Sequence, residues 1–75
     1  MNDKPFIEIE AMLFGDYRVQ VWDENLNSKL DREYFCRGYL SALETAQLIQ
    51  KDFHPDYDIY SRNGDDVKLV VERIA

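Results

Sequence analysis

The sequence predicts a small α+β domain in which one helix packs on one face of an antiparallel sheet, arranged approximately as ββ(β)αββ. Apolar residues recur every three or four positions in residues 41–53, which is typical of an amphipathic helix. Two segments before this helix and two after it alternate apolar and polar residues, which is typical of half-buried strands. A chain of 75 residues is long enough for one domain, and we expect residues 1–75 to form it.

Composition limits the classes of partner and the cellular compartment. The net charge of −6 disfavours direct nucleic-acid binding, which requires a stripe of Lys and Arg, and it favours a basic protein as partner. The single cysteine, Cys36, cannot form an internal disulfide and is consistent with a reducing compartment. Because the chain has no long apolar run and no signal-peptide pattern at its start, we expect a cytoplasmic protein without a membrane segment.

The helix over residues 41–53 has recognisable start and stop signals. Ser41 and Glu44 have the spacing of a capping box, in which each side chain satisfies a free backbone N–H of the first turn. Pro55 cannot continue the helical hydrogen bonds and therefore ends the helix near residue 53. The stripe predicted to face the sheet consists of Ala42, Ala46, Ile49 and Phe53.

The first predicted hairpin joins strands at residues 6–13 and 17–22. A three-residue loop, residues 14–16, places Leu13 opposite Tyr17 and keeps the apolar residues of both strands on one face. A two-residue loop would instead place Arg18 opposite Leu13 and bring a charge into the core. The polar residues 23–28 are expected to form a loop.

Residues 32–39 support two interpretations. Their aromatic residues and Gly38 favour a third strand that leads into the cap at Ser41. Alternatively, Phe35 and Tyr39 extend the helical stripe backwards, so that one long helix would start near Ser28. Such a helix would contain Gly38 in its interior, at a cost of about 1 kcal/mol. We favour the strand.

The second predicted hairpin joins residues 57–61 and 67–74 around Asn63 and Gly64. Asn-Gly is a preferred two-residue turn, but that register would place Lys68 beside Ile59. A three-residue loop, residues 63–65, keeps the apolar residues in phase and sets Arg62 opposite Asp66. Because burying a lysine costs more than an imperfect turn, we expect the three-residue loop.

No residue pattern indicates a catalytic, cofactor or metal site. His54 lies among several aspartates, but the spacing matches no recognised ligand set. Cys36 could act as a nucleophile only with His54 close in space, and a small buried side chain is the simpler interpretation. We therefore expect no enzyme activity, no cofactor and no bound metal.

The sheet face that the helix leaves uncovered is the predicted interaction surface. One helix covers only one face of a sheet, and aromatic residues mixed with charges on the other face are typical of an interface. The residues that we expect to bind a partner are Phe6, Glu8, Glu10, Met12, Arg18, Trp22, Tyr60 and Val70.

These observations predict a small non-catalytic protein-binding module that docks a partner, or its own copy, through the uncovered face. One alternative is a small acidic inhibitor, of the kind that phages and bacteria encode, which blocks a basic nucleic-acid-handling protein. Another alternative is a homodimeric structural protein. Strand addition at a free sheet edge is a further route by which such a domain could bind a partner.

Overall fold

The computed structural model describes residues 4–22 and 33–75 and confirms the α+β fold with one helix packed against a sheet. The loop predicted for residues 23–28 lies outside the described residues. The described elements are the strands β1 (Phe6–Ala11), β2 (Asp16–Trp22), β3 (Tyr34–Arg37), β4 (Asp58–Asn63) and β5 (Asp66–Val71), and the helix α1 (Tyr39–Asp52).

The five strands form one mixed sheet in the order β3-β2-β1-β4-β5. Three of the four neighbouring pairs are antiparallel, and the central pair of β1 and β4 is parallel. The parallel pair arises because α1 carries the chain from the edge strand β3 across β2 and β1 to β4. A connection of this kind is needed wherever two parallel strands are neighbours.

The hydrophobic core lies between α1 and one face of the sheet. Its β-branched and small side chains are almost fully buried, and each buried Val or Ile contributes about 1.5–3 kcal/mol through removal of apolar surface from water. Its members are Ile7, Ile9, Val19, Val21, Ala42, Ala46, Ile49 and Ile59.

We call the other side of the sheet the open face. The strand registers place on it Phe6, Glu8, Glu10, Asp16, Arg18, Gln20, Trp22, Phe35, Arg37, Asp58, Tyr60, Arg62, Val67 and Leu69.

The predicted third strand is confirmed, and the alternative of one long helix is wrong. β3 pairs antiparallel with β2, with Cys36 opposite Tyr17. Gly38 follows β3 with a φ of 87°, a backbone conformation that side chains with a Cβ rarely adopt. This glycine lets the chain turn sharply from the strand into the helix, and its N–H donates to the carbonyl of Gly15.

The predicted capping box is wrong, because α1 begins at Tyr39 rather than at Ser41. Gly38 occupies the cap position and no side chain caps the helix. The ring of Tyr39 packs edge-on against Tyr17 at a centroid distance of 5.6 Å, which draws the first turn onto the sheet. Ser41 therefore lies inside the helix, where its carbonyl accepts a hydrogen bond from the hydroxyl of Thr45.

The predicted buried stripe of α1 is correct except at its end. Ala42, Ala46 and Ile49 are buried, whereas Phe53 stands at the C-terminal cap with most of its surface exposed. Pro55 follows the helix as expected, and its carbonyl accepts hydrogen bonds from the N–H groups of the last two residues.

The first hairpin has the predicted loop length but a different register. Ala11, not Leu13, lies opposite Tyr17, and the three-residue loop is 13–15 rather than 14–16. Leu13 is consequently exposed in a short 3₁₀ turn instead of buried in the core. Because the shift between the two registers is even, every side chain of both strands keeps its predicted face.

The second hairpin adopts neither of the two registers considered. Its two-residue loop is Gly64-Asp65, which sets Arg62 opposite Val67 and places Val67 on the open face instead of the helix side. Lys68 therefore lies on the helix side, opposite Ser61. The expected cost of burying Lys68 does not arise, because this part of the edge strand β5 is exposed to solvent.

A β-bulge restores the apolar phase at the end of this hairpin. Tyr60 lies opposite Leu69, but its neighbour Ile59 lies opposite Val71, so Val70 is an extra residue on β5. Val71 consequently returns to the helix side and packs against the core. Because of the bulge, the two-residue turn at Gly64-Asp65 is compatible with an apolar residue on the helix side at the end of β5.

We expect Gln50→Ala to lower the free energy of unfolding by about 2 kcal/mol, because it leaves two backbone carbonyls without their donor. Gln50 is only 2% exposed, and its Nε2 donates to the carbonyls of Tyr57 at 2.8 Å and Glu72 at 3.0 Å. Urea unfolding followed by the fluorescence of Trp22 measures the change. The matched control Gln47→Ala, at an exposed position of α1, should change the value by less than about 0.5 kcal/mol.

We expect Phe14→Gly to raise the free energy of unfolding by about 0.5–1 kcal/mol. Phe14 has a φ of 63° and is 97% exposed, so it carries left-handed strain of about 1–2 kcal/mol without burying its ring. Glycine removes this strain and loses only about 0.5–1 kcal/mol through greater freedom in the unfolded chain. Leu13→Gly, in the same loop but at negative φ, should lower the stability instead. A loss of stability in both variants would contradict the strain.

Candidate protein-binding face

Three aromatic side chains form a cluster on the open face. Phe6 lies opposite Trp22 in the β1–β2 register, and their rings stack at a centroid distance of 6.3 Å. Tyr60 comes from the parallel neighbour β4 and meets Phe6 edge-on at 5.6 Å. Such pairs contribute about 0.5–1.5 kcal/mol beyond the area that they bury. All three side chains remain partly exposed, so they cover one another and still present surface to solvent.

Glu8 is a buried carboxylate beside this cluster. It is only 3% exposed, although no other element covers this face among the described residues. Arg62 donates from Nε to Oε2 at 2.8 Å, and the indole N–H of Trp22 donates to Oε1 at 3.3 Å. Both carboxylate oxygens therefore have a donor, which a buried charge requires. This arrangement also holds the indole and the guanidinium in fixed positions.

Arg18 joins two carboxylates in the neighbouring row of the open face. Its Nη2 donates to Oε1 of Glu10, which lies directly opposite in the register, and its Nη1 is 3.5 Å from Oε1 of Glu33. Phe35 lies opposite Arg18 on the outer strand β3. The sequence interpretation placed Glu10 and Arg18 on this face but did not identify the role of Glu33.

The carboxylates keep both guanidinium groups charged. The hydrogen bond and the negative charge of Glu8 raise the pKa of Arg62 above its usual value. Burial lowers the pKa of Arg18, but its hydrogen bond to Glu10 and the charges of Glu10 and Glu33 outweigh this effect, so the net pKa is raised. Both shifts favour the charged form of the guanidinium group, which is the form that the ion pairs require.

The structure brings together six of the eight residues predicted to bind a partner. These six lie on the open face: Phe6, Glu8, Glu10, Arg18, Trp22 and Tyr60. Met12 lies one position beyond β1, where it is partly exposed beside the hairpin loop. Val70 is the extra residue of the β-bulge and has no partner position on β4.

Three exposed apolar residues of the open face were not predicted as partner-binding residues. Val67 and Leu69 reach it because the second hairpin has a shorter loop than expected. Phe35 reaches it because β3 is a strand in register with Arg18. Alternation along β3 could have indicated Phe35, but the position of Val67 depends on the turn and could not be read from the pattern.

Cys36 and His54 are held in different parts of the molecule. Cys36 is partly buried, and its Sγ lies 3.5 Å from the hydroxyl of Thr45 on α1. His54 follows the end of α1 and stacks on Tyr57 at a centroid distance of 4.3 Å. Seven residues of helix follow Thr45 and correspond to about 10 Å along the axis, and His54 lies beyond their end, so the two residues are well separated. Within residues 4–22 and 33–75, no three His, Cys, Asp or Glu residues are placed to share a metal ion.

No protein-family model, curated protein or solved structure matches the chain. In the described ranges, no helix combines the length and apolar character needed to cross a bilayer. Function is therefore inferred from the geometry of the open face.

We expect Arg62→Ala to lower the free energy of unfolding by about 2–3 kcal/mol, because it removes the charged partner of the buried Glu8. Adding Glu8→Gln should recover about 1 kcal/mol, since a neutral amide costs less to bury than an unpaired carboxylate. Arg37→Ala, which removes an exposed guanidinium from the same face, is the control and should have little effect. Equal costs of Arg62→Ala with and without Glu8→Gln would contradict a coupled pair in this double-mutant cycle.

Proposed function

We propose that this chain is a non-catalytic protein-binding module that docks a protein surface through its open face. The observation that carries the proposal is the fixed arrangement of Trp22, Tyr60 and Arg62 around the buried carboxylate of Glu8. Trp, Tyr and Arg are the residues enriched in the energetic centres of protein interfaces. Here all three stand together on one sheet face.

The fixed arrangement also lowers the cost of binding. A free arginine or tryptophan loses rotamer entropy of about 0.5–1.5 kcal/mol when an interface immobilises it. Arg18 and Arg62 are already held by carboxylates, and Trp22 is held by stacking and by a hydrogen bond. A partner therefore meets side chains that have already lost much of this freedom.

Exposed apolar residues flank the fixed centre on both sides. Phe35 lies on the outer strand β3, and Val67 and Leu69 lie on the opposite edge strand β5. Apolar residues thus lie at both edges of the open face, on either side of the paired charges of Arg18, Glu10 and Arg62.

A second candidate function, an acidic modulator of a basic protein, has support from the charge distribution. Arg18 and Arg62 of the open face are paired with its own carboxylates, so the net charge of −6 comes largely from other acidic residues of the chain. Such an excess attracts a basic partner over a distance and accelerates its association. Binding of this kind should weaken as salt is added.

The proposal can be tested by affinity capture with the immobilised chain and matched variants. Leu69→Glu and Phe35→Glu each place a charge on the open face at a partly or largely exposed position, so the fold should be retained. Leu48→Glu places the same charge on the outer side of α1, where Leu48 is 60% exposed. We expect the wild-type chain and Leu48→Glu to capture the same proteins and both open-face variants to lose them.

Circular dichroism should first show that all three variants keep the wild-type helix and sheet content. Capture that is lost equally in Leu48→Glu would contradict docking through the open face. Repeating the capture at two salt concentrations separates the two candidate functions, because only the charge-driven complex is strongly screened.

A further inference from the structure

We infer that the protein occupying the open face is a second copy of this chain, in a face-to-face dimer with an α/β/β/α layer order. This inference rests on the proposed function and names the partner. Two sheets that stack face to face lie about 10 Å apart, with their side chains interdigitated between them. The dimer would give each sheet a second covered face.

The charges at the centre of the open face are compatible with burial against an identical face. Glu8 is paired with Arg62, and Arg18 is paired with Glu10 and Glu33. These pairs are completed within one chain, so docking need not supply an opposite charge to any of them. A second copy brings the same mixture of paired charges and apolar groups, so the centres of the two faces would meet without unpaired charges.

The two edges of the sheet are less suitable for pairing with a second copy. β3 has only four residues, and β5 combines Lys68 with the bulge at Val70. Short strands, lysines and bulges are the features by which natural sheets prevent edge-to-edge association. Of the surfaces of the sheet itself, the open face is therefore the one best suited to self-association, because α1 covers the other face.

The area of the open face is sufficient for a weak dimer. Five strands spaced by about 4.8 Å and six residues of about 3.3 Å each give a face of roughly 24 Å by 20 Å. Side chains add relief to this area, so a face-to-face pair would bury on the order of 1,200 Å² in total, at the lower end of specific interfaces. Interfaces of this size usually belong to weak or transient complexes, so we expect a dimer that dissociates at micromolar concentrations.

Tryptophan fluorescence can follow the formation of the dimer contact. Trp22 is the single tryptophan and lies on the open face. A dilution series from about 500 µM to about 1 µM covers the expected range of dissociation constants. At high concentration, we expect light scattering coupled to size exclusion to give the mass of a dimer. Fluorescence should show Trp22 emission at shorter wavelength and with less acrylamide quenching than in the dilute protein.

Matched variants locate the dimer contact. Leu69→Glu should weaken dimerisation at least tenfold, whereas Leu48→Glu, on the outer side of α1, should dimerise like the wild type. Added salt should leave the wild-type dimer unchanged or strengthen it, because each chain carries a net charge of −6 and the copies repel one another.

Three outcomes would overturn the inference: a monomer at every concentration, a dimer that Leu48→Glu but not Leu69→Glu disrupts, or a dimer that salt dissociates. The proposed function has a separate readout in the capture experiment. A monomeric chain that still captures proteins through the open face would refute the dimer and leave the protein-binding function supported. If the chain is monomeric and the open-face variants capture the same proteins as the wild type, both the dimer and docking through the open face would be refuted.

Discussion

The charge of Glu8 constrains the open side of the sheet. This residue is at the centre of β1, which is itself the central strand, and its neighbours Ile7 and Ile9 are fully buried under the helix. A carboxylate at such a position needs donors, and the fold supplies them from two other strands through Arg62 and Trp22. Once these donors are in place, the aromatic rings beside them have little freedom. The buried carboxylate of Glu8 requires donors, and supplying them orders the surface on which the proposed function depends.

Much of the fold could be predicted because side-chain alternation is insensitive to the details of pairing. The first hairpin is shifted by two positions from its expected register, yet Ile9 and Val19 are buried as predicted, since an even shift preserves the faces. The helix start could not be predicted in the same way. Ser41 and Glu44 form a good local signal, but Tyr39 gains contact with Tyr17 by joining the helix, and this tertiary contact outweighs the cap.

The candidate face could be predicted only in part. The rest depends on tertiary contacts between strands that are distant in the sequence. Alternation along β1 and β2 was enough to group Glu10 with Arg18. It could not pair Glu8 with Arg62, because the strand order determines which distant strands are neighbours, and no local pattern encodes a parallel β1–β4 pair. The side on which Val67 lies is set by the two-residue turn, and the bulge at Val70 then returns Val71 to the helix side.

The parallel pair of β1 and β4 also has a consequence for how the chain folds. Its ion pair joins Glu8 and Arg62, which are separated by 54 positions in a chain of 75 residues. The first hairpin can form locally, but β1 acquires its second neighbour only when β4 has been synthesised and the helix has crossed the sheet. Closing so long a loop costs entropy before the stabilising contacts between β1 and β4 can form. Folding should therefore be slow for a domain of this size. During synthesis, the central strand would remain open on one side until almost the whole domain has emerged from the ribosome.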